Sequence, residues 1–368
     1  MGHLICRETG KTYSLNEPIW RSPDGGLLDI NFEPPGNFMD NLSSQHSGLW
    51  RYKAAIPVKD EAILDFGDGF TPLVPMDLYG HSFRVKLDYL FNSFSFKDRG
   101  AAVLISKVNE MGLSKVIMDS SGNAGTSVSL YCAKAGITCD IYTKEDASPA
   151  KLTQIGMYGA NLKTIPGSRA EVTKAVMKAA QTEFYASHYW NPFFFEGTKT
   201  YAYEIYEQTN GRIPDSLFFQ VGHGTLLIGC YKGFKELQNE GLIDKMPRLY
   251  GIQTQNCKPL YNHLNGLPLG EPDHTIAEGI NIEDPPRLAQ VSEMIRETGG
   301  EVYAVSEEEI KEAMKDAASR GYYIEAASAS ALAALKHHPQ QQDDIVIPLT
   351  GNGLKNTEKF QQLMEGTL

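Results

Sequence analysis

Length, composition and charge limit the classes of protein to which this chain can belong. It has 368 residues, of which 42% are hydrophobic and 21% charged, with a net charge of -11 at pH 7. A chain of this length can bury a sizeable core and form two domains, whereas nucleic-acid binding needs clustered Lys and Arg that are missing here. We therefore expect a globular enzyme that acts on a small molecule.

Signals for export, membrane insertion and disulfide bonds are missing from the sequence. Residues 1–8 contain no cationic segment followed by an apolar one, and no run of about 18 uncharged apolar residues occurs. We expect a cytoplasmic protein with no membrane partner. The cysteines are odd in number and scattered, which favours reduced thiols over a disulfide framework; they are Cys6, Cys132, Cys139, Cys230 and Cys257.

Residues 1–47 form the first predicted module. Alternating apolar positions and turn signals predict a small hairpin within residues 1–35. A structural zinc site would need two Cys-x-x-Cys pairs, but Thr9 stands where a second thiolate would follow Cys6. We predict no zinc in this module and no metal site in the chain.

Beyond residue 80 the pattern alternates between strands and helices. Such alternation predicts a two-domain α/β fold with mainly parallel open sheets and helices on both faces. Residues 48–90 and 190–368 are assigned to a large domain, and residues 91–189 to a smaller, mobile one. The predicted strands are 84–87, 115–118, 138–142, 161–165, 216–221, 248–252 and 344–349, and the predicted helices include 170–183, 229–239, 307–320 and 327–336.

A lysine stands between an aromatic run and a glycine-alanine helix start. Lys97 follows Phe91, Phe94 and Phe96, and partial desolvation by such neighbours would lower its pKa. The neutral amine could then form a Schiff base with an aldehyde. The alternative is a surface lysine whose stem covers apolar surface.

Three loops that follow predicted strands carry candidate ligand groups, because ligands of parallel sheets bind beyond the carboxyl ends of the strands. Residues 119–127 offer N–H groups and hydroxyls at a helix start, which suits a carboxylate or is merely a helix cap. Residues 222–229 form a glycine-rich turn that suits a phosphate or is a bare structural turn. Residues 350–355 end a buried strand with a hydroxyl and two glycines that clear space around it, or form only a turn. A fourth loop, residues 275–280, follows a proline-rich link and would face the same cleft, or is likewise only a turn.

Two nucleotide-binding patterns are not met by the glycine-rich turn. The turn lacks the Gly-Lys-Ser/Thr ending of a loop that chelates a triphosphate. It also lacks the second glycine spacing and the ribose-binding acid of a dinucleotide fold. A nucleotide-binding protein is therefore disfavoured.

Together and in this order, these segments resemble the pyridoxal phosphate (PLP) enzymes of the tryptophan synthase β-like family, fold type II. They are most similar to the threonine synthases. Residues 95–100, Ser-Phe-Lys-Asp-Arg-Gly, look like the cofactor-lysine motif, and residues 121–123, Ser-Gly-Asn, look like the asparagine loop. Residues 349–355 look like the carboxyl-terminal signature, with Asn352 where histidine is usual. The likeness extends from about residue 48 to residue 356.

The resemblance implies a PLP-dependent lyase or synthase of amino-acid biosynthesis that acts on a small amino acid, with a homodimer as its assembly. Lys97 would form the Schiff base and move protons, and Asn123 would hydrogen-bond the phenolic oxygen of the cofactor. Thr350 would face the pyridine nitrogen, where a neutral hydroxyl makes the ring a weaker electron sink and favours elimination. The implied phosphate-binding residues are Gly222, His223, Gly224, Thr225 and Leu226, and the implied substrate-binding residues are Ser120, Ser121, Gly122, Asn123, Ala124 and His188.

The loop after the mid-chain strand departs from the threonine synthase pattern. His188 and Tyr189 replace an Asn-Ser pair, and Phe194 stands where an arginine is usual. A buried phosphate of O-phosphohomoserine would lose its bidentate partner there. His188 is a substrate ligand, a general acid or a structural residue, and His223 either adds a cation to the phosphate site or points to solvent.

These departures leave other functions open. Within the family, the alternatives are a serine/threonine dehydratase, a diaminopropionate-type ammonia-lyase or a β-replacing cysteine synthase-type enzyme, each on a non-phosphorylated substrate. In another class, the alternative is a catalytically silent regulatory protein that binds PLP or an amino acid. Lys97, Asn123 and Thr350 together argue against the silent protein, which has no need of the lysine.

Overall fold

The computed structural model describes residues 2–145, 149–270, 273–339 and 343–368. The strands are β1 His3–Cys6, β2 Thr12–Ser14, β3 Leu28–Asn31, β4 Leu73–Leu78, β5 His81–Lys86, β6 Lys115–Met118, β7 Thr138–Lys144, β8 Asn161–Ile165, β9 Ser216–Gln220, β10 Arg248–Thr254, β11 Val302–Val305 and β12 Ile345–Pro348. The helices are α1 Lys97–Glu110, α2 Asn123–Ala135, α3 Pro149–Met157, α4 Arg169–Ala179, α5 Phe193–Thr198, α6 Thr200–Gln208, α7 Thr225–Asn239, α8 Pro259–Leu264, α9 Leu288–Glu297, α10 Glu307–Ser319, α11 Ala326–Ala333 and α12 Thr357–Glu365. Short 3-10 helices cover Gly48–Ala55, Asp60–Ala62, Asp88–Leu90, Glu278–Ile280, Ala334–His337 and Gly353–Asn356.

Residues 1–70 and 97–200 form one compact unit, here called the first unit. It contains an antiparallel sheet in the order β2-β1-β3 and a parallel sheet in the order β6-β7-β8. The predicted hairpin near the amino terminus therefore has a third strand, because β1 pairs with β3 as well as with β2. Cys6 ends β1, and its thiol lies 3.3 Å from a Glu8 carboxylate oxygen.

Close packing of two helices in the first unit depends on glycine. Helix α1 packs against α2 and α5. A Cβ on Gly197 would lie 1.9 Å from the Arg99 carbonyl oxygen and 2.8 Å from the Gly100 Cα atom. Only a residue without a side chain lets the α5 backbone come this close to the first turn of α1.

Residues 71–96 and 201–368 form the second unit. Its six-stranded sheet has the order β11-β10-β9-β12-β5-β4, and every pairing is parallel except that of β4 with β5. Strands β9 and β12 are neighbours, so their carboxyl ends lie at the same edge of the sheet. The loops that follow them, from Gly222 and from Thr350, therefore begin side by side.

Helices α10, α11 and α12 cover the apolar core of the second unit, packing residues such as Ile310, Leu332 and Phe360 against strand residues such as Val85 and Phe218. Helix α10 begins where a capping box forms. The Ser306 hydroxyl accepts the Glu309 N–H (3.3 Å), and the Glu309 carboxylate accepts the Ser306 N–H (2.7 Å). Two of the unpaired N–H groups of the helix end are satisfied in this way.

The structure confirms the predicted α/β class with mainly parallel sheets. Predicted strands 115–118 and 161–165 coincide with β6 and β8, whereas helix α7 begins four residues before its predicted start. Strand β11 was not predicted, because Val-Tyr-Ala-Val is a short run between polar residues. The proposed boundaries at residues 47, 90 and 189, and the mobility of residues 91–189, stay predictions.

Three further observations concern the cysteines, membrane-spanning helices and metal sites. The five cysteines are buried free thiols. No helix in the described residues is long and apolar enough to cross a membrane. Among the same residues, no group of three or more His, Cys, Asp or Glu side chains is arranged to hold a metal ion.

Candidate active site

Lys97 is the first residue of α1 and keeps part of its surface exposed. Burial of its amine lowers the pKa of Lys97 to about 7 from an ordinary value of 10.5. Desolvation is the cause, since burial penalises the charged form. Two further lysines of the first unit, Lys107 and Lys199, are buried and lie 2.6 and 2.7 Å from carboxylates. A large fraction of the Lys97 amine is therefore neutral at physiological pH.

The Phe194 ring lies beside this amine, with its centroid 5.7 Å from the Lys97 Nζ atom. Phe194 is fully buried in α5. A Cβ on Gly100 would lie 2.4 Å from the ring, so the glycine of the lysine motif makes room for the aromatic side chain. From the sequence, Phe194 stands where an arginine is usual, within an aromatic cluster predicted to pack around the active-site mouth. The structure places its ring against the first turn of α1.

Asp98 joins the lysine-bearing helix to its neighbour. Its carboxylate accepts a hydrogen bond of 2.5 Å from the Ser127 hydroxyl of α2, and both side chains are fully buried. This bond fixes the first turn of α1 against α2. Lys97 begins α1 and Asn123 begins α2, so this hydrogen bond between the two helices also fixes Lys97 and Asn123 relative to each other within the first unit.

Residues Ser120 to Ala124 form a tight turn into α2. Gly125 makes the turn possible, because a Cβ there would lie 1.7 Å from the Ser120 carbonyl oxygen. Gly122 caps the helix without a side-chain hydrogen bond, and the Ser121 hydroxyl has no hydrogen-bond partner in the described part of the chain. The first turn of α2 thus presents backbone N–H groups beside a hydroxyl, which suits a carboxylate.

Asp119 holds the start of this turn, a role that the sequence did not reveal. Its carboxylate accepts from the Tyr185 hydroxyl (2.6 Å) and pairs with the Arg169 guanidinium (2.7 Å). Burial and the adjacent Asp119 charge raise the pKa of Tyr185 well above its ordinary value, so this phenol stays a donor. The only sequence signal was an acid at the carboxyl end of a buried strand.

His188 belongs to a buried aromatic cluster. Its ring is 5.0 Å from the Tyr189 ring and 5.9 Å from the Phe194 ring, both in edge-on geometry. His188 therefore packs against the phenylalanine that contacts the Lys97 amine. Its predicted role toward substrate stays a prediction.

In the second unit, residues Gly222 to Leu226 form a cradle at the amino end of α7. A Cβ on Gly222 would lie 2.9 Å from Ile282 and 3.1 Å from the Ile280 Cα atom. Gly224 has φ of +72°, and a Cβ there would lie 2.5 Å from Val291. The two glycines therefore let Ile280, Ile282 and Val291 pack closely against this turn. The N–H groups and dipole of the helix amino end favour an anion.

Thr350 sits at the centre of a hydrogen-bond network within the second unit. Ser328 Oγ accepts the N–H groups of Thr350 (2.9 Å) and Gly351 (3.2 Å), which occupies both its lone pairs. Its own hydroxyl proton can therefore reach Thr350 Oγ1, 3.1 Å away, and Gln220 Nε2 donates to the same oxygen. With two donors aimed at it, the Thr350 hydroxyl is left to donate its proton outward.

Gln220 and Ser328 were not among the residues predicted from the sequence. Gln220 is the polar last residue of the apolar strand β9, and Ser328 is one of two serines in an alanine-rich helix. Either residue could have been flagged as a polar side chain in a buried element. The backbone around Thr350 is fixed as well, because its carbonyl oxygen accepts the Phe96 N–H (2.9 Å).

Comparison with known proteins establishes the family. A family model described as "Pyridoxal-phosphate dependent enzyme" matches residues 64–351. The chain belongs to this family. Threonine synthase of Methanocaldococcus jannaschii is 34% identical over 96% of this chain and 93% of its own length. Threonine synthase of Methanosarcina acetivorans is 31% identical over 99% and 95%.

Solved structures of this PLP family share the fold. An L-serine ammonia-lyase from Rhizomucor miehei has a TM-score of 0.71 at 19% identity, covering 81% of this chain and 98% of its own. A serine racemase from Dictyostelium discoideum has a TM-score of 0.66 at 26% identity, covering 83% and 98%. The predicted family, its PLP cofactor and the class of PLP-dependent lyase near the threonine synthases are thereby confirmed.

The residues in each unit fit the PLP family's cofactor. The first unit offers an amine with a pKa of about 7, which reacts with an aldehyde near neutral pH. The second unit offers the N–H groups at the amino end of α7, which suit a phosphate, and a hydroxyl that accepts from its neighbours and keeps its own proton for donation. Each unit, taken by itself, thus offers groups whose chemistry suits part of PLP: an amine for the aldehyde in the first unit, and N–H groups for the phosphate and a hydroxyl for the ring nitrogen in the second.

Proposed function

We propose that this PLP enzyme catalyses elimination at the β or γ carbon of an aliphatic amino acid, with or without addition of a nucleophile, as a threonine synthase-like lyase. The Lys97 amine with its pKa of about 7 carries the proposal, because it is both nucleophile and proton carrier near neutral pH. The relatives that are threonine synthases support it.

We assign roles to residues by this chemistry. Lys97 would link to the cofactor and, once displaced by substrate, move the proton at the substrate Cα. Ser121 and the N–H groups from Ser120 to Ala124 would bind the substrate carboxylate, and Asn123 would donate to the phenolic oxygen. The N–H groups of residues 222–226, from Gly222 through His223, Gly224 and Thr225 to Leu226, would hold the phosphate.

Thr350 governs the type of reaction in this proposal. Its hydroxyl already accepts from Gln220 and lies within reach of the Ser328 proton, so it would donate to an unprotonated ring nitrogen. When bound, PLP supplies an aldehyde for amines and an electron sink for the Cα carbanion. A neutral donor leaves that sink weaker than an aspartate would, which favours elimination over transamination.

Phe194 bears on the choice of substrate. The ring is fully buried beside Lys97 and fills the space over Gly100. A phosphate dianion placed against this ring would lose water without gaining a bidentate guanidinium partner. We therefore favour a non-phosphorylated amino acid over O-phosphohomoserine as the substrate.

The test is a substrate panel on the PLP-loaded protein. O-phosphohomoserine, O-phosphoserine, serine, threonine and diaminopropionate are compared by release of keto acid, ammonia and phosphate. We expect turnover of a non-phosphorylated amino acid and none in Lys97→Ala, which should also lose the visible absorbance of the lysine-linked cofactor. Brisk threonine formation from O-phosphohomoserine would contradict the role given to Phe194.

Two outcomes would refute the wider proposal. Wild-type protein that never takes up PLP contradicts any role for Lys97 as its partner. Amino acids that bind without elimination or replacement products point to the silent regulatory protein instead. A homodimeric assembly and a cytoplasmic location belong to the same proposal and are tested by the mass of the purified protein and by cell fractionation.

A further inference from the structure

A concave surface lies along the outer strand of the sheet in the second unit, and none of its lining residues has a role in the proposed reaction. This cavity, here called the edge cavity, has a volume of about 250 Å³. At about 30 Å³ per water it holds about eight waters, which is the size of a small metabolite. Its walls come from strand β11, helix α8 and the short helix that ends at His337.

The edge of β11 forms the floor of the edge cavity. The carbonyl oxygens of Glu301 and Val305 accept N–H groups on the β10 side at 2.9 and 2.8 Å. Alternate residues of a parallel strand direct their backbone groups to opposite sides, so Val302 and Ala304 present N–H and C=O groups away from β10. In the described residues β11 is the last strand of its sheet. The floor thus offers the donors and acceptors of an open strand edge.

One wall is held rigidly in place. The Tyr303 ring stacks on Tyr250 (5.6 Å, 19°) and on His337 (6.3 Å, 27°). The Tyr303 hydroxyl lies 3.2 Å from Nδ1 of the buried His338, whose Nε2 lies 3.1 Å from an Asp343 oxygen. A wall fixed before a ligand arrives removes part of the entropy cost of binding.

Three polar side chains around the cavity have no hydrogen-bond or ion-pair partner among the described residues. They are the Gln255 amide, the Lys258 ammonium and the Tyr261 hydroxyl, and the ammonium lies 5.5 Å from the Tyr261 ring centroid. The lining contains Lys258 but no Asp or Glu, and the other basic residue of the lining, His337, is paired with the Glu309 carboxylate (2.8 Å). Lys258 is therefore the group in the lining that can pair with an anion.

We propose that the edge cavity is a binding site for a small organic carboxylate that also carries an amide- or amine-type N–H group. One lysine matches the single charge of a carboxylate, whereas a phosphate dianion favours a guanidinium fork or several cations. The strand edge matches the N–H and C=O groups of an amide, as when a peptide extends a sheet. Gln255 and Tyr261 complete the polar contacts, and the Tyr303 ring supports the apolar part.

The test uses N-acetylglycine and N-acetyl-L-threonine on the PLP-loaded protein. An acylated amine cannot link to the cofactor aldehyde, so binding at the edge cavity is separated from binding at the active site. We expect saturable one-to-one binding by calorimetry, amide NMR shifts at Val302 and Ala304, and unchanged cofactor absorbance. Lys258→Met should weaken binding by at least about tenfold through loss of a charge-assisted bond.

A matched control and two competitors complete the design. Lys245→Met removes an exposed lysine of the same unit that lies 3.6 Å from Asp215, and should leave binding unchanged. Acetate should compete more effectively than inorganic phosphate. Undiminished binding in Lys258→Met, no saturable binding of either probe, or stronger competition by phosphate would overturn the proposal. A change of cofactor absorbance that persists in Lys258→Met would place the probe at the active site and overturn it as well.

Discussion

At the scale of single residues, Lys97 shows how burial changes the pKa of an amine and with it the pH range in which the amine is nucleophilic. In the unfolded chain the amine keeps its ordinary pKa of 10.5, and burial lowers the pKa to about 7 in the folded protein. Between these two values the unfolded chain binds more protons, so this residue makes the apoprotein more stable as pH rises from 7 to 10.5. Below pH 7 the Lys97 amine is charged in both states, and the full cost of burying that charge lowers the stability of the folded apoprotein.

The same pKa predicts how fast the apoprotein takes up PLP. Only the neutral amine attacks an aldehyde, so the uptake rate should rise about tenfold per pH unit below pH 7 and level off above it. Stopped-flow absorbance of apoprotein mixed with PLP measures this profile. Lys97→Ala should show no such phase, and a half-maximum near pH 10 would show that the amine is not desolvated.

The sequence identified Lys97 correctly as a desolvated amine, but through other neighbours. It drew on Phe91, Phe94 and Phe96, which adjoin the lysine in the chain. The ring that lies against the amine from within the same unit is Phe194, almost a hundred residues away. Local sequence can indicate an apolar setting, whereas the identity of a distant partner depends on how helices α1 and α5 pack.

At the scale of elements, the amino end of α7 depends on glycines for two separate reasons. Gly224 has φ of +72°, and it also lies where a Cβ would be 2.5 Å from Val291. Gly241, just past the other end of the same helix, has φ of +69°, and no atom lies within 4 Å of the position that a Cβ would occupy there. Comparing alanine substitutions at Gly224 and Gly241 therefore separates the cost of backbone strain from the cost of a steric clash.

We predict that Gly224→Ala and Gly241→Ala both destabilise the protein, by about 1–2 kcal/mol from the left-handed backbone. Gly224→Ala should lose about 1–3 kcal/mol more through overpacking against Val291. Only Gly224→Ala should weaken PLP binding, because it displaces the N–H groups proposed to hold the phosphate. Urea unfolding and equilibrium PLP titration measure the two effects, and equal loss of PLP affinity in both variants would count against the cradle.

The boundaries of strands and helices were predicted most accurately where the local sequence signal was clear. The strands at 115–118 and 161–165 were predicted to the residue, and the start of α10 was predicted where its capping box lies. The start of α7 was placed too late, since Thr225 to Ile228 form an apolar run that suits strand and helix alike. Strand β11 was missed because its pairing with β10 is a tertiary contact.

At the scale of the whole molecule, a buried ion pair joins two distant parts of the second unit. Lys86, the last residue of β5, lies 2.7 Å from the carboxylate of Glu204 in α6, and both side chains are fully buried. The Lys86 ammonium also donates to the Thr71 carbonyl oxygen (2.9 Å) and to Gln208 (3.0 Å). The early segment of this unit is thereby fixed to the part that begins after residue 200.

Breaking this pair should be costly. We predict that Lys86→Met lowers the free energy of unfolding by about 3–5 kcal/mol, because the buried Glu204 carboxylate would lose the cation that compensates its charge. Adding Glu204→Leu should recover most of the loss. Denaturant unfolding measures both variants, and no recovery in the double variant would show that the cost lies in packing.

An exposed pair provides the matched control for this prediction. Lys336 and Glu312 lie 2.6 Å apart, but both side chains remain partly in solvent. Lys336→Met should change the free energy of unfolding by about 1 kcal/mol or less. A loss as large as that of Lys86→Met would show that burial does not govern the effect.

Local sequence signals were enough to predict the α/β class, which the structure confirms, the order of the main elements and a set of candidate cofactor residues from Lys97 to Thr350. These signals are hydrophobic periodicity, glycines at strand ends and short motifs in a set order. Each of these signals can be recognised without knowing which distant residues are in contact. The comparison with known proteins confirmed the class of enzyme that they indicated.

Which side chains tune those residues became clear only from the packing of the folded chain. Phe194 reaches the Lys97 amine because glycines let α1 and α5 approach closely. Ser328 and Gln220 hydrogen-bond Thr350 because α11 packs beside the carboxyl ends of strands β9 and β12. The edge cavity likewise exists only once β11 becomes the last strand of its sheet in the described residues. Desolvation and hydrogen-bond direction are properties of packed neighbours, and packing joins residues that are far apart in the chain.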